Sequence, residues 1–323
     1  MKKIAVFTSG GDAPGMNACI RAVVRTGLHY GMEVVGIMEG YQGMVHRHFQ
    51  PLDSRSVSHI IQQGGTILKS ARCTEFRTKA GRQQAYENLK ELGVEGVVAI
   101  GGDGTFTGAK VFMKEHPDIA FVGCPGTIDN DLYGTDFTIG YDTAVNTAME
   151  AIDKIKDTAN ADRRLFFVEV MGRDVGFIAL RSCIASGAEA VLIPETSTKL
   201  PDLVKTIEKL YRRKNASIII IVAEGEEMGG AVKVARKVSK KFTKMPTRVT
   251  ILGHIQRGGQ PTALERVNAS WMGMEAVKTL RKGKKGVMVG IVNHKIKLTP
   301  FRKCSTSHPA IEPAFYEMVE ILA

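Results

Sequence analysis

A chain of 323 residues, 44% hydrophobic and 24% charged, has enough apolar mass to bury a core and room for two domains of ordinary size. Its formal net charge of +11 calls for an anionic partner, which phosphorylated metabolites and nucleic acid both satisfy, while five cysteines without a paired C-x-x-C argue against a zinc or dithiol site and fit a reducing cytosol. No apolar run reaches the length of a signal-peptide core or a membrane span, so the expectation is a cytoplasmic protein that enters no membrane.

Short apolar runs alternate with longer helical patterns. The first, at 4–8, stops at Ser9-Gly10-Gly11-Asp12; others follow at 33–37, 96–100, 120–124, 165–170, 190–193, 218–223, 249–252 and 287–292. The alternation predicts an α/β protein with mostly parallel sheet. No repeat or linker marks a boundary, and a division near Gly140 is the expectation. The basic run Lys233 to Lys244 approaches the clustering of a nucleic-acid binder and is read instead as a solvated helix face.

In parallel sheets ligands sit beyond the carboxyl ends of strands. Here those positions read Gly10-Gly11, Gly101-Gly102-Asp103-Gly104-Thr105, Pro125 to Asp131, Met171-Gly172-Arg173, Glu224-Gly225 and Gly253 to Gly259. Glycines at strand-to-helix turns let backbone approach a phosphate, and the following helix offers free N–H groups; the same glycines also serve tight turns alone. Neither turn matches G-x-G-x-x-G or a Walker loop. Asp103 beside such a cradle is repulsive unless Mg²⁺ lies between carboxylate and phosphate. Asp129 and Asp131, two apart, point the same way on extended backbone, one as base and one for the metal, unless the segment is merely an Asx-rich turn. Phosphoryl transfer needs positioning and charge neutralisation, and Arg72, Arg164, Arg173, Arg248 and Arg257 supply the planar forks that suit phosphate.

Taken together, SGGDAPGMN, GGT-x-L-x-SAR, IGGDGT, PGTIDND, VEVMGR, VAEG and LGHIQRGG resemble the signature run of bacterial-type ATP-dependent 6-phosphofructokinases, in order over nearly the whole chain. The resemblance implies two Rossmann-like three-layer α/β domains with the active site in the cleft between them. Residues 1–140 with about 252–305 would form the larger, ATP-binding domain, and 141–251 with about 306–323 the smaller, fructose 6-phosphate-binding one. It implies transfer of the γ-phosphoryl group of MgATP to the 1-hydroxyl of fructose 6-phosphate by a homotetramer.

By motif, Gly11, Tyr41, Arg72, Cys73, Arg77, Gly102, Asp103, Gly104, Thr105 and Gly108 would line the ATP site. Asp103 and Asp131 would serve Mg²⁺. Asp129 would be the base, with Thr127, Arg72 and Gly11 completing the centre. The sugar phosphate would meet Thr127, Asp129, Asp131, Met171, Gly172, Arg173, Glu224, His254 and Arg257, with Arg164 and Arg248 reaching in from a neighbouring subunit. Lipid and NAD kinases share a G-G-D-G-T turn but not PGTIDND or MGR. Pyrophosphate-dependent relatives typically carry Asp at the position of Gly104 and Lys at that of Gly126, so the glycines here favour ATP. A basic nucleic-acid-binding protein is the rival from another class.

Arg21 and Arg25, four apart on one helix face, could grip an effector phosphate or simply be solvated. The resemblance adds Lys156, Gly187, Glu189 and Arg213 to an ADP or phosphoenolpyruvate site. Ser54, His59, Lys156 and Asn215 depart from the family's usual residues there, so an altered effector response is expected.

Overall fold

In the computed structural model, which describes residues 1–161, 163–213, 217–304 and 310–322, the chain divides into two units. One runs from Met1 to Thr143 and resumes at Arg257; the other runs from Ala144 to Gln256 and resumes at Ala310. The expected divisions at 140/141 and about 251/252 lie a few residues earlier, and the one at about 305/306 falls outside the described residues.

The first unit begins β1 (Lys3–Thr8), α1 (Met16–His29), β2 (Glu33–Ile37), α2 (Tyr41–His46), β3 (Phe49–Leu52), α3 (Lys79–Glu91), β4 (Gly96–Gly101), α4 (Asp103–Glu115), β5 (Ala120–Thr127) and β6 (Ile139–Gly140). The chain passes to the second unit along α5 (Tyr141–Asn160). There it forms β7 (Leu165–Val170), α6 (Phe177–Ser186), β8 (Ala190–Leu192), α7 (Leu200–Arg213), β9 (Ile218–Ala223), α8 (Gly230–Ser239) and β10 (Thr247–Ile251). It returns through α9 (Ala263–Arg281), β11 (Val287–Val292), β12 (Lys295–Pro300) and α10 (Phe301–Cys304), and α11 (Pro313–Leu322) follows in the second unit.

The first sheet runs β12-β11-β5-β4-β1-β2-β3 with β6 beside β5, and the second β10-β7-β9-β8. All pairings are parallel except β2 with β3 and β11 with β12. The central strands read as unbroken apolar runs because both faces are covered: β4 and β9 are buried at every residue. Phe7, Phe106, Phe112 and Phe121 are fully enclosed in the first unit, each contributing roughly 2 kcal/mol or more of apolar burial. In the second unit Leu203, Ile207 and Leu210 of α7 and Val234 and Val238 of α8 close over Phe167 and Ile220. The outer faces of those two helices carry exposed Lys and Arg, as expected for the run at Lys233 to Lys244.

Each sheet contains a reversal. The chain leaves β1 toward β2 and its neighbour β4 toward β5, in opposite directions; in the second sheet it leaves β7 toward β8 and the adjacent β9 toward β10. Such reversals open crevices at strand carboxyl ends, and the Gly- and Arg-rich segments of the sequence emerge there.

Candidate active site

Thr8 pairs with Ile100 across β1 and β4, and the Ser9 N–H donates to the Ile100 carbonyl at 3.0 Å, so the two glycine turns leave the sheet side by side. Segment 64–72 is pinned to them. Thr8 Oγ1 donates to the Lys69 carbonyl (2.7 Å), Asn17 Oδ1 accepts from the Ile67 N–H (2.8 Å), and Ser70 Oγ donates to the Gly10 carbonyl (2.8 Å). Arg72 therefore emerges, exposed, beside the first turn. Asn17 and Ser70 were not singled out in sequence, because neither carries chemistry of its own.

α4 starts at Asp103 directly after its N-cap Gly102, with no side chain capping it. A Cβ on Gly102 or Gly104 would meet no atom within 4 Å, so the free N–H groups and positive dipole end face open space, a seat for phosphate. Asp103 is exposed at its edge. The first turn differs from expectation: α1 begins only at Met16, after N-cap Gly15, so Gly10-Gly11 does not run straight into a helix.

Beneath this surface Tyr41 is 8% exposed, stacks on Phe76 at 3.9 Å and donates its hydroxyl to the Thr105 carbonyl at 2.6 Å. Burial pushes its phenol pKa up, so it stays protonated. Gly108 lies over the Tyr41 ring, where a Cβ would fall 3.0 Å from Cε2. Tyr41 and buried Thr105 thus form the floor of the turn, whereas Arg77 is exposed and Cys73 half-buried against the core.

At the end of β5 the Thr127 hydroxyl donates to Asp129 Oδ2 at 3.2 Å and accepts from the Asp129 N–H at 3.2 Å. Asp129 is 6% exposed. Asp129 and Asp131 do not share one side of an extended backbone as expected, because Asn130 between them adopts φ +56°. Its side chain holds that turn, Nδ2 donating to the Asp136 carbonyl (3.1 Å) and Oδ1 accepting from the Thr138 N–H (2.8 Å), while Thr138 Oγ1 donates to the Thr127 carbonyl (2.6 Å). Among the described residues no three His, Cys, Asp or Glu side chains gather as a ready-made metal cage.

Arg257, also in the first unit, extends its Nη1 toward the Asp12 carbonyl at 3.4 Å. A Cβ on Gly11 would fall 2.2 Å from that nitrogen. A side chain at Gly11 would therefore displace the Arg257 guanidinium from its place against the first turn.

In the second unit the two central strands end together. The Arg173 N–H donates to Glu224 Oε1 at 2.7 Å, and a Cβ on Gly225 would meet the Arg173 carbonyl oxygen at 2.1 Å. The wholly buried Gln256 accepts from the Met171 N–H at 3.3 Å and donates to the Gly253 carbonyl at 3.1 Å, tying the turn that presents exposed His254 to Met171, Gly172 and Arg173. Arg164 precedes β7, and Arg248 lies exposed on the edge strand β10, opposite Phe166.

The effector residues divide between the units. Partial burial and the charge of Arg25 hold Arg21 below the usual arginine range, which places the two guanidinium groups near one another on α1. In the second unit Lys156 donates to the Ser186 and Gly187 carbonyls at the end of α6, and Glu189 accepts from the Ile219 N–H at 2.7 Å. Arg213 is exposed at the end of α7, Ser54 and His59 are exposed in the first unit, and Asn215 lies outside the described residues.

Residues 3–280 match the family model described as Phosphofructokinase. The chain is 53% identical to the ATP-dependent 6-phosphofructokinase of Cytophaga hutchinsonii, over 100% of this chain and 98% of that protein. It is 52% identical to ATP-dependent 6-phosphofructokinase 1 of Thermus thermophilus over 100% of both. Among solved structures, Pichia pastoris phosphofructokinase in the T-state matches with TM-score 0.89 and 38% identity, over 94% of this chain and 35% of that much longer one.

Proposed function

Because this chain belongs to the phosphofructokinase family, we propose that it transfers the γ-phosphoryl group of ATP to the 1-hydroxyl of fructose 6-phosphate, yielding fructose 1,6-bisphosphate and ADP. The observation that carries this is full-length identity of about one half to relatives named ATP-dependent 6-phosphofructokinases.

In this reading the uncapped start of α4, with Gly102 and Gly104, receives the ATP phosphates, Gly108 and half-buried Cys73 border the nucleotide, and Arg72 and Arg77 approach from the pinned 64–72 segment and the turn after it. The open space over Gly104 supports passage of a nucleotide's phosphate chain. Asp129 accepts the proton of the attacking hydroxyl, held by the Thr127 hydroxyl, and Arg72 offsets charge on the transferring group. Met171, Gly172, Arg173, Glu224, His254 and Arg257 bind the sugar phosphate.

Mg²⁺ fits the donor set: it keeps several waters and binds through one or two carboxylates plus substrate phosphates, so exposed Asp103, with Asp131, suffices without a protein cage. When bound, the ion neutralises charge on the phosphate oxygens. The location is the cytoplasm; among the described residues no helix is long and apolar enough to cross a membrane.

The active form is a homotetramer in which Arg164 and Arg248 serve a neighbouring subunit's sugar phosphate. Val249 (37% exposed) and Ile251 (54%) on the edge strand β10 beside Arg248 support a surface that another copy covers. An anion effector engages Arg21, Arg25 and Arg213, with Lys156, Gly187 and Glu189 shaping the second unit's share. Incubation with MgATP and fructose 6-phosphate, followed by phosphorus NMR, should show ADP and a new 1-phosphate ester. No transfer, or transfer to another hydroxyl, overturns the reading.

A further inference from the structure

Glu265, on the first turn of α9, is 3% exposed and lies outside every motif named above. Its backbone N–H donates to the N-cap hydroxyl of Thr262 at 3.1 Å, and its carboxyl reaches away from α9. Oε2 accepts from the Thr143 N–H (3.4 Å) and hydroxyl (3.3 Å) at the start of α5, and the Gly140 backbone also hydrogen-bonds it. Its Cγ fills the place that a Cβ on Gly15 would need, 2.8 Å away, so the carboxyl packs against the N-cap of α1 as well. The N-terminus of α5 thus donates to this buried carboxyl and the N-cap of α1 packs against it, and a helix N-terminus favours an anion.

The three segments that meet there are the ones bearing the reacting groups. Gly15 ends the loop of Gly11 and Asp12. Gly140 pairs with Thr127, whose hydroxyl holds Asp129. α9 follows directly on the loop of Arg257, which itself reaches back to the Asp12 carbonyl. We propose that Glu265 is a positioning residue of the phosphoryl transfer, its carboxylate holding the Gly11 loop, the Thr127–Asp129 segment and the Arg257 loop in register.

The anion holds these segments more tightly than the neutral acid, because a charged oxygen makes the stronger acceptor for the Thr143 N–H and hydroxyl. Burial raises the Glu265 pKa to about 7, so the two forms exchange within the working pH range. Asp142, at the start of α5, is the charged neighbour that adds to the rise. β6 and the first residues of α1 carry no ionisable side chain, and Arg266 turns its Nε to the Pro261 carbonyl.

This inference rests on the phosphofructokinase reading. The test compares wild type, E265Q and E265D between pH 5.5 and 8.5 for kcat at saturating MgATP and fructose 6-phosphate, and for the emission of Trp271, the one tryptophan, which lies on α9 six residues on. Wild-type kcat should fall toward acid with a midpoint near 7, and the Trp271 signal should titrate with it. E265Q, folded by circular dichroism, should lose about 10-fold or more in kcat with KM values within about 3-fold, and both of its profiles should be flat near pH 7. E265D should restore a titration with a displaced midpoint. If E265Q proves unfolded, the wild-type profiles decide: no titration of kcat or Trp271 near pH 7 overturns the inference. A folded E265Q of lower stability but unchanged kcat and pH profile also overturns it, since that is what a purely structural role gives. A wild type that transfers no phosphoryl group to fructose 6-phosphate defeats the underlying reading instead.

Discussion

Asp129 lies almost wholly out of solvent with its Oδ2 held by the Thr127 hydroxyl, so its replacement removes both an acceptor and the group that this hydroxyl orients. Asp129→Ser should lower kcat by about 10²-fold or more while nucleotide binding, measured by calorimetry, stays within about 3-fold; an unchanged kcat would refute the role of base. Asp129 stands out in the sequence because it sits in a motif, whereas the left-handed Asn130 that turns it away from Asp131 does not. Glu265 was not legible as a tie between segments: Thr262 and Glu265 announce only a helix start, and the partners at 140 and 143 are distant in sequence. Its titration also has a consequence for stability. Its folded pKa, about 7, lies above its unfolded value, so the folded state binds the proton more tightly. The stabilisation is therefore full below about pH 4.5 and lost as pH rises through 7, an effect of about 3 kcal/mol. Urea unfolding of wild type minus that of E265Q should fall over this window; a difference independent of pH would contradict it. The anion that positions the site is then the less stable form, a trade between activity and stability.

At the level of elements, the start of α4 and the end of β5 respond differently to added side chains. Side chains at Gly104 enter open space, whereas one at Gly126 meets the Met16 methyl at 2.9 Å and the Gly101 amide nitrogen at 3.1 Å. By sequence both glycines are gates on the phosphate path; the packing separates them. Gly104→Asp should keep the wild-type melting temperature and lose about 10-fold or more in kcat/KM for MgATP, with fructose 6-phosphate affinity little changed. Gly126→Lys should unfold several degrees lower, because overpacking a closed site costs about 1–3 kcal/mol or more. Equal melting temperatures with a matched loss of ATP use would make both glycines gates on the phosphate path. The central strands were legible as apolar runs buried on both faces. Three others were not: β3 contains Pro51, which only an edge tolerates, β6 is two residues long, and β12 alternates exposed Lys295 and Lys297 with half-buried Ile296 and Leu298 at the sheet's other edge. The strand expected at 249–252 starts earlier, at Thr247, because pairing with β7 extends it to Leu165.

For the whole molecule, the alternation of apolar runs gave the α/β class and a division near Gly140, while composition marks no boundary because the chain crosses between units within a continuous helix, α5, and within a short turn, Gly253–Arg257. The sequence pattern carries no oligomer signal, and the proposed shared site rests on the exposed Val249 and Ile251 of β10. Ile251→Lys should reduce the mass seen by light scattering and, by removing the neighbour's Arg164 and Arg248, abolish saturation by fructose 6-phosphate; a monomer of full activity would overturn the shared-site arrangement. In the proposed effector site Lys156, which already binds the end of α6, offers no planar fork, so ADP and phosphoenolpyruvate should act weakly at subsaturating fructose 6-phosphate. The central claim, that the open glycine turn at α4 selects a nucleoside triphosphate as phosphoryl donor to fructose 6-phosphate, is tested most directly by one coupled assay with ATP or pyrophosphate at equal concentration. Production of fructose 1,6-bisphosphate should be rapid with MgATP and at least about 100-fold slower with pyrophosphate, and comparable or faster turnover with pyrophosphate would contradict the account.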